Sequence, residues 1–274
     1  MTRCPLPVCD PTLEEDFALL QETVRQAGAL AMRYYGTDPK SWHKDENQPV
    51  TEADIAINDL LQHQLMADRR HYGWLSEETE DNADRLHARK TWIIDPIDGT
   101  SAFIKNKPEF AVSAALVENN RPVLGCVFNP ASDEFYAARA GFGATKNGKP
   151  IRFTGAREIV ENMHVCVYPP VIEHQAWKDT WPKVRVGNRN SVAYRLALLA
   201  ESHFDVLMML NPKKDWDMAA GDLIVHEAGG FVAGLDGRPF LYNTENVSHR
   251  RTLAGSKPMI AELGHRIDAF LRSL

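Results

Sequence analysis

Asp95-Pro96-Ile97-Asp98-Gly99-Thr100 concentrates more chemistry than any other stretch of this chain. Two carboxylates flank Pro96-Ile97, so their side chains can converge while the Ile97 carbonyl turns toward the same point. Two such charges about 4 Å apart repel by ~4 kcal/mol at an effective dielectric of 20, a cost that a cation between them removes. Carboxylate and carbonyl oxygens suit magnesium, manganese or calcium better than zinc, and no His or Cys stands in this segment. Gly99-Thr100-Ser101 then offers backbone N–H groups beside the acids, an arrangement that receives anions. A metal site next to an anion site points to phosphate-ester hydrolysis.

Three further places set acids where secondary structure begins or ends: Asp54, Glu77-Glu78 after Trp74-Leu75-Ser76, and Asp217 after Trp216. Taken alone, Asp54 and Asp217 read as acids complementing a helix dipole, and Glu77-Glu78 as a solvated loop pair. Haloacid-dehalogenase-type phosphatases place their two aspartates two apart; Asp95 and Asp98 are three apart. No Gly-x-x-x-x-Gly-Lys-Ser/Thr loop and no Gly-x-Ser-x-Gly elbow occurs.

The elements that must position these groups follow from periodicity. Asp10-Pro11 reads as a cap, and Phe17, Leu20, Val24, Ala27 and Ala31 predict a helix ending near Gly36. A polar loop is expected over 37–48. Thr51 caps a helix over 51–68 with Ile57, Leu61 and Leu65 on one face. Trp92-Ile93-Ile94 predicts a short buried strand stopping at Asp95. Strands fill 110–138, broken at Asn119-Asn120, and Lys146-Asn147-Gly148-Lys149 is a hairpin turn. This first half reads as helices plus an antiparallel sheet. Beyond it, strands at 163–167, 204–210, 231–233 and 253–254 alternate with helices at 191–201, 216–228 and 257–274, an α/β pattern. Gly229-Gly230 stops the middle helix, and Asp236-Gly237 makes a turn. The expected division is 1–150, with most of the acids, and 151–274, with Asp217, the two joined in one compact unit.

With 274 residues, 44% hydrophobic and 25% charged, the chain suits one large domain or two tightly joined halves. Its net charge of -6 argues against nucleic-acid polymers and membrane surfaces as partners. Cys126 and Cys166 lie in apolar runs and read as buried small residues; Cys4 and Cys9 are too few for a zinc site. The start has no apolar signal-like run, and nothing approaches the ~18 apolar residues of a membrane span. A soluble cytoplasmic protein is expected.

Together the motifs resemble the inositol monophosphatase family. The matching pieces, in order, are Pro49-Val50-Thr51-Glu52-Ala53-Asp54, Ser76-Glu77-Glu78, Trp92-Ile93-Ile94-Asp95-Pro96-Ile97-Asp98-Gly99-Thr100, and Trp216-Asp217-Met218-Ala219-Ala220-Gly221-Asp222 running on to Glu227-Ala228-Gly229-Gly230. The resemblance implies a layered α-β-α-β-α sandwich of the inositol monophosphatase and fructose-1,6-bisphosphatase type, combining α+β and α/β halves. It also implies a homodimer, lithium sensitivity, and two or three Mg2+ ions, with Mn2+ as a substitute. Carried over, Glu77, Asp95 and the Ile97 carbonyl bind one metal, and Asp95, Asp98 and Asp217 a second; a third leans on Glu77. Asp54 with Thr100 orients and deprotonates the attacking water. Gly99, Thr100 and Ser101 hold phosphate, and no covalent phosphoenzyme is needed.

The substrate is a small phosphate ester. Inositol-specific relatives carry a glutamate seven residues before the Trp-Asp aspartate, where this chain has Leu210. It has Lys213-Lys214 instead, and residues 103–110 look more like members that hydrolyse adenosine 3',5'-bisphosphate. Lys213, Lys214, Lys105, Lys107, Arg189 or Arg195 would meet a second phosphate, although each also reads as a solvated charge. Adenosine 3',5'-bisphosphate is therefore favoured. An inositol or other small sugar phosphate is the alternative, and a catalytically silent metal-binding regulator a third reading.

Overall fold

A computed structural model describes residues 11–44, 49–174 and 181–272. Cys4, Cys9 and Asp10 lie outside them. In chain order, α1 (Pro11–Tyr34) leads to β1 (Ser41–His43), β2 (Pro49–Thr51) and α2 (Glu52–Met66). Then come β3 (Gly73–Ser76), a 3-10 turn (Ala83–His87), β4 (Lys90–Asp98) and α3 (Thr100–Ile104). An antiparallel run follows: β5 (Ala111–Glu118), β6 (Arg121–Asn129), β7 (Glu134–Arg139), β8 (Ala144–Lys146) and β9 (Lys149–Ile151). After these lie β10 (His164–Val167), α4 (Pro169–Ile172), β11 (Arg185–Gly187), α5 (Val192–Ala200), β12 (Val206–Met209) and β13 (Lys213–Lys214). The chain closes with α6 (Asp215–Glu227), β14 (Phe231–Ala233), β15 (Ser248–His249), β16 (Thr252–Gly255) and α7 (Lys257–Arg272).

Strands β3 to β9 form one seven-stranded sheet in sequence order, and a five-stranded sheet runs β11-β10-β12-β16-β14. Alternation along the strands decides what each face buries. Trp92, Ile94, Val112, Ala114 and Leu116 pack under α1 and α2. Ile93, Ala111, Ala115 and Val117 face the other way, onto α5 and α6. Those two helices also cover Leu207 and Ala254 of the second sheet. The opposite face of that sheet, with Val165, Val206 and Leu253, meets Met259, Ile260, Leu263 and Ile267 of α7. The layers are thus α-β-α-β-α, as the family resemblance implies.

Three expectations are corrected. The polar loop contains β1, whose three exposed residues pair antiparallel with β2; an exposed three-residue strand leaves no hydrophobic pattern to read. The sheet of the first half is not wholly antiparallel, because β3 runs parallel to β4. The strand expected to stop at Asp95 continues to Asp98 across a bulge. Among the described residues no helix is long and apolar enough to cross a membrane.

Candidate active site

The bulge in β4 is the first positioning device. Asp95 pairs with Ser113 and Asp98 with Ala111, so two residues of β4 oppose one of β5. Residues three apart on a regular strand face opposite sides; one extra residue restores the parity. Pro96, which has no N–H to give a ladder, fits within such an irregularity. Both carboxylates therefore turn to the α5/α6 side, while Ile97 packs with the α1/α2 core. Gly99 then takes φ +97 to start α3, a left-handed conformation that favours glycine. A Cβ there would lie 2.8 Å from the Glu109 carbonyl oxygen.

The remaining acids arrive by separate routes. Beyond β3, the Glu77 backbone N–H donates to the Ile94 carbonyl at 3.2 Å, which sets Glu77 beside Asp95. The Asp217 Oδ2 accepts the Lys214 N–H at 2.8 Å, the capping bond at the start of α6. One carboxylate oxygen each from Glu77, Asp95 and Asp217 lies within 4.8 Å of the others. Asp98 stands just outside that triplet. Its Oδ2 accepts the Ser191 hydroxyl and the Ala193 N–H, both at 2.6 Å. Asp54 caps its own helix, accepting the Thr51 N–H at 2.8 Å and the Thr51 hydroxyl at 2.6 Å. Its other oxygen faces the Thr100 hydroxyl at 3.3 Å, and that hydroxyl also donates to the Ile97 carbonyl at 3.0 Å. Asp54 and Asp217 thus both sit in the first turn of a helix, as read from the sequence, and stand beside the cluster.

Crowding and burial oppose ionisation throughout. Burial, then repulsion from Asp217, pushes Glu77 up to about 8 against a pull from Lys44. Burial and Asp217 push Asp98 to about 7, despite the hydrogen bonds from Ser191 and Ala193. Burial raises Asp54 to about 6. Asp95 is held well above its ordinary range by burial, then by Glu77, Asp98 and Asp217. Asp217 is also raised by burial, with the Lys214 N–H, Lys213 and Lys214 opposing. A buried Asp95 Oδ1 meets no hydrogen-bond donor. An all-oxygen triplet with an orphaned lone pair and mutually repelling charges fits hard divalent cations.

The sequence-derived cations divide. Lys213 lines a pocket of about 90 Å³ with Tyr168, Arg195, Leu210 and Asn211. The Lys214 ammonium lies 6.0 Å over the Trp216 ring. Lys105 and Lys107 are exposed beyond α3. Arg189 is engaged elsewhere, 3.8 Å from Glu109 and donating to the Asn188 carbonyl at 2.8 Å. Sequence reasoning missed two neighbours. Ser191 is readable as the cap of α5, yet nothing signals its second bond to Asp98. Lys44 reaches Glu78 at 2.5 Å and the Glu77 carbonyl at 3.0 Å from within the presumed loop.

Comparison with known proteins gives this arrangement its lineage. Residues 12–267 match the model of the inositol monophosphatase family. Inositol monophosphatase 2 of Solanum lycopersicum is 31% identical over 96% of this chain and 98% of its own. The 3'(2'),5'-bisphosphate nucleotidase CysQ of Aggregatibacter actinomycetemcomitans is 30% identical over 82% of this chain and 87% of its own. Among solved structures, the extragenic suppressor protein SuhB of Bartonella henselae superposes with a TM-score of 0.77 at 27% identity, covering 90% of this chain and 96% of that one. The chain belongs to the inositol monophosphatase family and is a phosphatase acting on phosphoric monoesters.

Proposed function

We propose that this chain hydrolyses a small phosphate ester bearing a second anionic group, with adenosine 3',5'-bisphosphate favoured, and does so with magnesium. Glu77, Asp95 and the Ile97 carbonyl would hold one ion and Asp95, Asp98 and Asp217 a second, with a third leaning on Glu77; Mn2+ would substitute. Bound there, the cations supply Lewis-acid polarisation of the ester phosphate and acidify water. The chain's own groups do the rest. Backbone N–H groups of Gly99, Thr100 and Ser101 orient the phosphate. Thr100 aligns the attacking water, and the buried Asp54 carboxylate takes its proton. The displacement on phosphorus is direct, and no covalent phosphoenzyme is needed.

One observation carries the substrate reading. The pocket near Asp217 is lined by Lys213 and by Arg195, whose guanidinium also donates to the Arg189 and Asn190 carbonyls, and by no acid, with Leu210 on its wall and Tyr168 exposed at its edge. Cationic lining suits a second phosphate, and an exposed ring suits a planar base. Hydroxyl-rich inositol would want a carboxylate acceptor there, and the lining has none. Inositol 1-phosphate stays the second reading because the tomato relative named above is an inositol monophosphatase. The same proposal makes the protein a lithium-sensitive homodimer of the cytoplasm. It also takes 1–150 and 151–274 as two halves of one unit, with Asp217 and the specificity pocket in the second.

The test is kcat/KM on adenosine 3',5'-bisphosphate and on inositol 1-phosphate at saturating Mg2+, with and without lithium. The bisphosphate is expected to win. Lys213→Ala should then lower its kcat/KM by about tenfold or more, the scale of a hydrogen bond to a charged group, and leave the inositol ester nearly unchanged. A hundredfold preference for the inositol ester would refute the reading, and magnesium binding without any turnover would point to the silent regulator.

A further inference from the structure

Asp215 is fully buried two residues before Asp217, yet both its oxygens are spoken for. Oδ1 accepts the His249 imidazole Nε2–H at 2.6 Å, and Oδ2 accepts the Asn243 N–H at 2.7 Å. Its own N–H donates to the Val247 carbonyl at 3.0 Å. Asp215 is therefore not a ligand in waiting. Asn243 carries the connection onward. Its side-chain amide donates to the Thr91 hydroxyl of β4 at 3.0 Å, and its carbonyl accepts from Arg85 at 2.8 Å. It sits at φ +54, a left-handed conformation that asparagine tolerates better than most residues. On the other side, β15 pairs with β13, setting His249 opposite Lys213 and Ser248 opposite Lys214.

These contacts close a ring. It runs from β4, which carries Asp95 and Asp98, through Asn243 to Asp215, then through His249 to β13 and α6, which carry Lys213 and Asp217. Strand β13 is only two residues long, and the Asp217 carboxylate is aimed by the N–H of one of them. A strand that short cannot hold its own register. A buried acid–imidazole pair contributes little net stability compared with an apolar pair of the same shape, so its best-attested use is registry. We propose that Asp215 and His249, jointed through Asn243, are positioning residues that keep Asp217 and Lys213 in register with Glu77 and Asp95. This rests on the reading of Asp217 as a metal ligand.

The experiment is calorimetric titration of the full-length protein with Mg2+ alone, so that the identity of the ester does not enter. His249→Ala is expected to weaken Mg2+ binding by about tenfold or more, as loss of an outer partner does at metal sites. His249→Gln, whose amide N–H replaces Nε2–H, should recover most of that loss. Asn243→Ser keeps the backbone bond to Asp215 and drops the side-chain ties to Thr91 and Arg85, and should lie between them. The melting temperature of each metal-free variant separates weakened binding from a weakened fold. The proposal fails if a folded His249→Ala binds Mg2+ as the parent does, or if His249→Gln is no better than His249→Ala. It fails with the metal reading itself if the parent takes up no Mg2+. Parental binding in all three variants sinks the register idea alone.

Discussion

Asp95 is buried with one oxygen lacking a donor, and Glu77, Asp98 and Asp217 all press on it. Such a group is costly without a cation and serves the site rather than the fold. Asp95→Asn is therefore expected to lower turnover by about 10²–10³-fold, the scale of losing one preorganised electrostatic partner. The same change should not lower the melting temperature of the metal-free protein, since it relieves repulsion. Asp217→Asn should behave alike, because an amide oxygen still accepts the Lys214 N–H. Activity retained in either variant at saturating Mg2+ would remove these residues from the chemistry. The acids were legible in the sequence because residue type and motif announce them. Ser191 and Lys44 were not, since each meets its acid through a tertiary contact from a segment that carries no pattern of its own.

Elements deliver those side chains, and the junction of β4 with α3 is the most constrained. Gly99 combines a left-handed backbone with a carbonyl 2.8 Å from where a Cβ would stand. Gly99→Ala should thus cost at least about 1–2 kcal/mol from handedness alone, before the clash with Glu109 is relieved. Relief must move either α3, with Thr100 and Ser101, or the Glu109 loop, whose carbonyl also receives the Ser191 N–H at 3.2 Å. Activity should fall further than stability does, read as kcat/KM against melting temperature; a parental kcat/KM would show that the turn has slack. The helices and long strands were legible from periodicity, and the Thr51 cap from its spacing to Asp54. The bulge was not, since Asp95 to Asp98 reads equally as a strand end. Nor were β13 and β15, because two residues are too few to show a period.

At the scale of the whole molecule, a metal-free protein of this design stores protons. Glu77 at about 8, Asp98 at about 7 and Asp95 well above the ordinary range retain protons that the unfolded chain, with carboxylates near their usual values, has lost. Asp222, a buried residue of α6 raised by that burial, adds in the same direction. The native state then binds more protons than the unfolded state, so the slope of stability with pH is negative. These groups stabilise the metal-free fold fully only while the unfolded chain also keeps its protons, so stability should fall from about pH 4.5, where the unfolded carboxylates ionise, to about pH 8, where the native ones do. Divalent cations compete for the same oxygens, so their binding tightens over that window. The layering that gathers the cluster follows from alternation, but the stacking of the layers depends on long-range contacts, such as Ser191 to Asp98 and Ser113 to the Trp216 carbonyl, that no local pattern encodes. The linkage prediction needs only the gathered cluster. Saturation at a hundred times the dissociation constant adds about 2.7 kcal/mol, or roughly 5 °C for a chain this size. The melting temperature without metal should therefore decline across the window, and the gain on adding Mg2+ should grow with pH. A metal-free melting temperature that rises with pH, or a Mg2+ gain that ignores it, would mean the carboxylates ionise freely and hold no cation in common.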